Sequence, residues 1–246
     1  MSGALLSASA PTAAAAFSPT DIANLKLWLK ADAGTFQTSG GSAATADSDP
    51  VGEWQDQSGN GKHMVQATST KRGTLKTGIQ NGKPVVRGDG TDDFLASATV
   101  ASTAVDNFTC FIAYKNINTS TFDLIFSNGS DAQNNGHAYW IHQSNFRFLP
   151  YWPTQLADGA YTTNTFEIVR YKRAAGTTTL FVNGASATID NDTTSPATPL
   201  STLVLGWPAA HFATADIGEV LLYDAALSAG DITSVETYLN GRWAAF

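Results

Sequence analysis

The sequence predicts an all-β protein, built as a two-layer sandwich or jelly roll and closed by one short helix. Three observations carry this. Strand-like stretches recur about every 10–15 residues with turn residues between them, which favours a sandwich over alternating strand–helix units. The chain is rich in Gly (21 residues) and aromatics (11%) and poor in charge (14%), a profile of β proteins rather than of helical cytosolic enzymes. Apolar residues fall at helical spacing in one place only, near the C-terminus.

Each element has its own signal. Leu25 to Lys30 alternates Leu with Lys and Trp, as a half-buried strand does. Residues 35–50 are rich in Gly, Ser, Thr and Asp and read as a loop. Asn81-Gly82 turns the chain into a strand start at Pro84-Val-Val-Arg87. The stretch 107–115 is apolar on both faces, which places it centrally in a sheet; Cys110 shares one face with Phe108, Ile112 and Tyr114 and reads as a small buried hydrophobe. Strands follow at 122–127, 136–143, 145–149, 165–172 and 177–182, the last two flanking a turn at Arg173-Ala-Ala-Gly176. Asn183-Gly184 is a hairpin turn, because type I′ geometry needs positive φ at both central residues. Strands at 202–207 and 215–223 complete the set. Ser228-Ala-Gly-Asp231 opens a helix with a capping-box-like start. Ile232, Val235, Tyr238 and Leu239 give it one apolar face, and Gly241 is the expected terminator.

At 246 residues the chain suits one large β domain. We divide it into an arm, 1–20, and a domain, 21–246, with Ser18-Pro-Thr-Asp21 as the junction. The arm has no Lys or Arg before Lys26 and so lacks the basic region of a secretory signal. It is expected to dock on a neighbouring subunit. The net charge of −7, with no cluster of Lys and Arg, argues against nucleic acid as a partner. A single cysteine excludes an intrachain disulfide, and no run of about 18 apolar residues exists to span a membrane.

Four stretches carry a family resemblance: Leu25-Lys-Leu-Trp-Leu-Lys-Ala-Asp32, Trp54-Gln-Asp-Gln-Ser-Gly-Asn-Gly61, the run from Gly82 to Leu95, and the run from Ile217 to Trp243. Together they resemble the recurring marks of laminin-G/concanavalin-A-like jelly rolls of secreted bacterial proteins and phage virions. The position that is aromatic before Asp-Gly in that family is Gly88 here. The resemblance implies a concanavalin-A-like jelly-roll sandwich of two antiparallel sheets and a terminal helix. It also implies calcium in the loops. Hard cations take carboxylate, amide and carbonyl oxygens from Gly-pinned turns, and the candidate ligands are Asp56, Asn60, Asp89, Asp92, Asp93 and Asp216. The competing reading is that Asp56 and Asp89 brace turns through their own backbone. Arg87-Gly-Asp89 spells an integrin tripeptide but falls inside the family's turn and reads as structural.

Catalysis finds little support. A glycosidase needs two facing carboxylates, and Glu53, Glu167, Glu219 and Glu236 form no such pattern; Asp216 and Glu219 are three apart, the wrong spacing for one strand face. His137 and His142, five apart, fall on opposite faces of a strand. Carbohydrate binding is the better chemistry: sugar rings stack on aromatics while polar side chains bond their hydroxyls. The richest stretch runs from His137 to Trp152, with Trp140, His142, Tyr151 and Trp152 as candidates and Trp207 as a second locus. The resulting expectation is a non-catalytic virion subunit, a decoration or tail-associated protein. Its arm would join other virion subunits in an oligomeric assembly, and its jelly roll would face host-surface glycans. The alternatives are a secreted or cell-surface carbohydrate-binding module and, less favoured, a glycoside hydrolase.

Overall fold

The computed structural model describes residues 16–97, 101–102, 106–117, 123–128, 137–142, 145–148, 157–160, 162–190, 202–207 and 211–246, with backbone alone for 137–142, 145–148, 157–160, 187–190, 203 and 207. In chain order the strands are β1 (Leu25–Lys30), β2 (Thr35–Phe36), β3 (Glu53–Trp54), β4 (Met64–Val65), β5 (Thr74–Gln80), β6 (Lys83–Arg87), β7 (Leu95–Ser97), β8 (Asn107–Asn116), β9 (Asp123–Asn128), β10 (His137–His142), β11 (Asn145–Phe148), β12 (Ala157–Ala160), β13 (Phe166–Ala174), β14 (Thr177–Val182), β15 (Ala185–Asp190), β16 (Thr202–Val204), β17 (Gly206–Trp207), β18 (His211–Phe212) and β19 (Ala215–Tyr223); the helix α1 is Ala229–Trp243.

Among the described residues these form two large antiparallel sheets. The first runs β15-β14-β13-β8-β19-β6-β5 with β1 added on β19, and the second runs β12-β11-β10-β9-β16-β7-β4-β3-β2. The fold is the predicted two-sheet jelly-roll sandwich with its C-terminal helix.

Two cores follow from the alternation of side chains along the central strands. On β8, Phe108, Cys110, Ile112 and Tyr114 enter the layer between the sheets, where Trp54, Met64, Leu95, Phe126 and Val204 of the second sheet meet them. Phe111 and Ala113 point the other way, into a second core roofed by Ile232, Val235, Leu239 and Trp243 of α1. A strand covered on both faces needs apolar residues at every position, which is why β8 reads as a continuous apolar run.

The helix is fastened to its sheet by one buried carboxylate. Glu219, fully buried, accepts from Trp28 Nε1 at 2.6 Å, Tyr238 Oη at 2.9 Å, Arg242 Nε at 2.8 Å and Trp243 Nε1 at 3.0 Å. Arg242 also forks onto Asp32 at 2.7 and 2.8 Å. Burial works against the Arg242 charge, but the Glu219 and Asp32 carboxylates outweigh it and raise its pKa. The opening Trp28 and Asp32 and the closing Glu219, Tyr238, Arg242 and Trp243 of the family-like stretches are thus one clasp between chain ends. A β-bulge sets its geometry. Strand β19 slips register against β8 between Ile217 and Glu219, which carries Glu219 to the helix side.

Three local expectations change. The helix does not stop at Gly241; it runs to Trp243 and ends at Ala244, whose φ is 48°. Burial of Trp243 holds the last turn in place, and the Asn240 side-chain oxygen accepts the N–H groups of Ala245 and Phe246. The loop assigned to 35–50 contains the short strand β2. The stretch 202–207 is two strands, broken at Leu205, whose φ is 66°. At the junction Ser18 caps a 3-10 turn, Pro19–Asp21. Phe17 meets Tyr238 edge-to-face at 6.1 Å and Pro19 O accepts from Tyr223 Oη, so residues 17–19 are part of the domain's packing.

Candidate functional site

The acidic turn between β6 and β7 brings three predicted ligands together. The Asp89 Oδ1 atom accepts the Thr91 N–H at 2.8 Å, and Asp93 Oδ2 accepts the Asp89 N–H at 3.1 Å. This folding-back places carboxylate oxygens of Asp89, Asp92 and Asp93 within 4.8 Å of one another. Asp93 is 6% exposed. Burial first, and then the Asp89 and Asp92 charges, push its carboxyl up to about 6. All the converging donors are oxygens, the set that suits a hard divalent cation.

The turn is seated on its neighbours through glycines. A Cβ at Gly88 would lie 2.5 Å from Ala213 O, and one at Gly90 would strike Thr214 Oγ1. No aromatic fits at position 88, which accounts for the departure from the family pattern there. A Cβ at Gly206 would lie 2.8 Å from Asp93 O and 2.7 Å from the Phe212 ring, and the Phe94 and Phe212 rings are 6.5 Å apart. The β17–β18 hairpin, where Trp207 pairs with His211, therefore lies directly against the acidic turn. The sequence treats Trp207 and the Asp cluster as separate candidates. Gly206, at its close approach to Asp93 O, is the signal that joins them, while Gly88 and Gly90 seat the turn on the following Ala213 and Thr214.

The other three predicted ligands lie apart from this cluster and are engaged otherwise. Asp56 Oδ1 accepts the N–H groups of Trp28 (2.9 Å) and Ser58 (2.8 Å), and its Oδ2 accepts Ser58 Oγ and the Lys62 N–H. Asn60 Nδ2 donates to Leu25 O and Ser58 Oγ. Both residues tie the 55–63 loop to β1. Asp216, fully buried, takes Arg87 in a fork at 2.6 and 2.9 Å and Lys115 at 3.1 Å. Among the described residues only Asp89, Asp92 and Asp93 group closely enough to share an ion. The Arg87 of the Arg-Gly-Asp tripeptide is likewise committed to Asp216.

Of the aromatic candidates, Trp140 and His142 lie on β10, paired with Arg147 and Asn145 of β11, and a bulge between Tyr139 and Trp140 interrupts the pairing with β9. Tyr151 and Trp152 lie outside the described residues. Trp28, Trp54 and Trp243 are buried and belong to the two cores.

The carboxylates weighed for catalysis are also accounted for. The bulge corrects the face assignment of Asp216 and Glu219: both point to the helix side, because the register slip cancels the odd spacing. Each is taken up by cations and N–H or O–H donors. Glu53 accepts from the Gly40 N–H and Gln55 Nε2, and Glu236 pairs with Arg170 at 2.8 Å.

Glu167 differs. It is buried, accepts the Thr162 N–H at 3.1 Å, and has Tyr114 Oη at 3.5 Å. Burial outweighs these bonds and pushes its carboxyl up to about 7. The unfolded chain ionises near about 4.3. From there to about 7 the folded state holds the extra proton, so stability falls as pH rises through this window and then levels off. Asp93 adds a decline of the same sign up to about 6. The Glu167→Gln variant is expected to match wild type at about pH 4 and exceed it above about pH 8. Denaturation midpoints at the two pH values check this; equal midpoints at both would contradict it.

A cleft of about 440 Å3 lies between the 31–35 turn and β5 and is lined largely by Ala, Gly and Thr. Its one carboxylate, Asp32, is already held by Arg242, so it offers little chemistry.

No family model matches this sequence, and no curated protein matches it either. Solved structures do. The Trypanosoma rangeli sialidase in complex with the inhibitor DANA superposes with a TM-score of 0.57 at 12% identity, over 84% of this chain and 35% of that one. The binding domain of botulinum neurotoxin DC in complex with SialylT gives 0.62 at 13% identity, over 90% of this chain and 52% of that one. The botulinum neurotoxin serotype D binding domain gives 0.60 at 14%, over 87% and 51%. The chain thus spans about a third to a half of the solved chains it matches. These likenesses show a shared β-sandwich fold.

Proposed function

We propose that this protein is a non-catalytic, calcium-dependent glycan-binding β-sandwich, displayed on a virion surface. One observation carries the reading: the β17–β18 hairpin bearing Trp207 is seated on the turn that gathers Asp89, Asp92 and Asp93. A hairpin that carries a tryptophan and has its backbone against an oxygen-rich turn suits a sugar, whose C–H face stacks on an aromatic while its hydroxyls seek polar partners. The donor set fits calcium. Burial first, and then repulsion from Asp89 and Asp92, hold Asp93 up at about 6; the cation would offset both and leave positions open to hydroxyl oxygens. Sharing its fold with a domain solved in complex with SialylT supports the glycan part. The commitment of Asp216, Glu219, Glu53 and Glu236 to other partners supports a binding role over hydrolysis.

The test is a glycan array on the full-length protein and on Trp207→Ala. Saturable binding to defined glycans, weakened at least about tenfold in the variant, is expected from the loss of one stacking platform. Equal binding by both proteins would remove Trp207 from the site.

The virion setting rests on the sequence resemblance and on the arm. Because Phe17 and Pro19 belong to the domain's packing, the removable arm ends before Ala16. Deleting residues 2–15 is expected to leave a folded domain that no longer joins the particle; unchanged incorporation would contradict the docking role.

A further inference from the structure

A second polar feature lies on the outer face of the first sheet, beyond the edge of α1. Three cross-strand pairs, Arg170 with Phe181, Lys172 with Thr179 and Ala174 with Thr177, line a groove of about 300 Å3. Neighbours at the α1 edge fix its two cations. Arg170 Nε donates to Glu236 at 2.8 Å, and the guanidinium lies over the Phe181 ring at 3.7 Å. Lys172 Nζ donates to Leu227 O at 2.8 Å.

This arrangement orients donors without exhausting them. With Nε on Glu236 and the plane on Phe181, the Arg170 Nη1/Nη2 edge has no acceptor among the described residues. The Lys172 ammonium has two further protons. None of the groove's six lining residues is acidic, in a chain whose net charge is −7. A pre-oriented guanidinium edge matches the two oxygens of a carboxylate or sulfate. Burial, and then the neighbouring Arg170 charge, lower the Lys172 pKa, a strain that a bound anion relieves.

We propose that this groove is an oxyanion subsite that takes the carboxylate or sulfate of an acidic sugar. The inference deepens the glycan-binding reading, on which its choice of ligand rests, but it places the acidic group on β13 and β14, away from the acidic turn. The oxyanion bonds the Arg170 edge and the Lys172 ammonium, and the partly exposed Phe181 offers the sugar an apolar neighbour.

The experiment is calorimetric titration of the full chain in calcium with lactose, sialyllactose and sulfated lactose. The two acidic probes distinguish carboxylate from sulfate. Both acidic sugars, or the one whose anion fits, are expected to bind about tenfold or more tightly than lactose, with a preference that shrinks as salt rises. Lys172→Gln, and separately Arg170→Lys, which keeps the charge but not the fork, are each expected to remove about tenfold of that preference and leave lactose binding unchanged. Acidic sugars that bind no tighter than lactose, or a preference intact in both variants, would overturn the subsite. Lactose binding without any acidic preference sinks the subsite alone. Acidic-sugar binding that depends on Arg170 and Lys172 but ignores Trp207→Ala and chelator keeps the subsite and sinks the acidic-turn site. Thermal melts confirm that the variants are folded.

Discussion

Glu219→Ala is expected to destabilise the protein by about 4 kcal/mol, the scale for removing one partner of a buried, hydrogen-bonded charge pair. Four donors converge on this carboxylate. Removing it strands two buried indole N–H groups, a part-buried phenol and one edge of a part-buried guanidinium. Each stranded donor carries its own desolvation cost of about 1–3 kcal/mol, so the four together exceed the loss from the packing of the side chain itself. Burial, and then the Glu219 charge, raise the Tyr238 pKa, which keeps the phenol a donor throughout the working range. Glu219→Gln retains the shape and one acceptor oxygen and is expected to lose about half as much. Because the donors come from β1 and α1, the helix should loosen before the sandwich does, seen as faster amide exchange in 229–243. Chemical denaturation measures the total. A loss under about 1 kcal/mol would mean that the clasp behaves like a surface ion pair.

Gly218→Val is the second large effect. The position faces the Trp243 indole, and a Cβ there would lie 2.6 Å from Cζ2 and 2.7 Å from Cζ3. Trp243 is fully buried and stacked on Phe166 with centroids 5.0 Å apart, so the ring has nowhere to retreat. Expelling it forfeits the burial of a tryptophan, about 3–5 kcal/mol. The variant is expected to lose at least about 3 kcal/mol. A double-mutant cycle identifies the cause. In the Trp243→Ala background, the added Val fills part of the vacated space, so the second substitution should cost far less than the first. Strict additivity would place the strain elsewhere, for instance in the bulge.

The fold was legible because its longest strands are covered on both sides. The apolar run of β8 and the patterns of β13 and β19 leave no other reading, and Asn183-Gly184 adopts the positive φ values, 50° and 75°, that its turn requires. Among the strands that the sequence does not signal, β5, β12 and β15 carry Thr, Gly, Ser and Asp, and their pairing is decided by neighbours that a single sequence does not reveal. The family-like stretches were legible as a pattern but not as a device. Alternation alone puts Asp216 and Glu219 on opposite faces, and only the bulge at Gly218 aligns them. The same limit applies to the site. Asp89, Asp92 and Asp93 are visible as a cluster because they are close in sequence. Their contact with the Trp207 hairpin depends on Gly206, and their seat on Ala213 and Thr214 on Gly88 and Gly90, whose missing side chains permit approaches that no local pattern encodes. Asp56 and Asn60 show the converse: an Asp and an Asn in a Gly-rich loop satisfy backbone groups of β1.

The central claim is that the acidic turn and the adjacent hairpin form one calcium-dependent glycan site. Its most direct test is a glycan array on the full-length protein, run in calcium and again in excess chelator, with Asp92→Asn beside wild type. Asp92 is the suitable position, since it is partly exposed and its removal takes one ligand while the Asp89 and Asp93 bonds that shape the turn persist. The account predicts saturable binding in calcium that is lost in chelator and lost in Asp92→Asn under both conditions. A blank array for wild type in calcium, or binding indifferent to both chelator and Asp92→Asn, would contradict it.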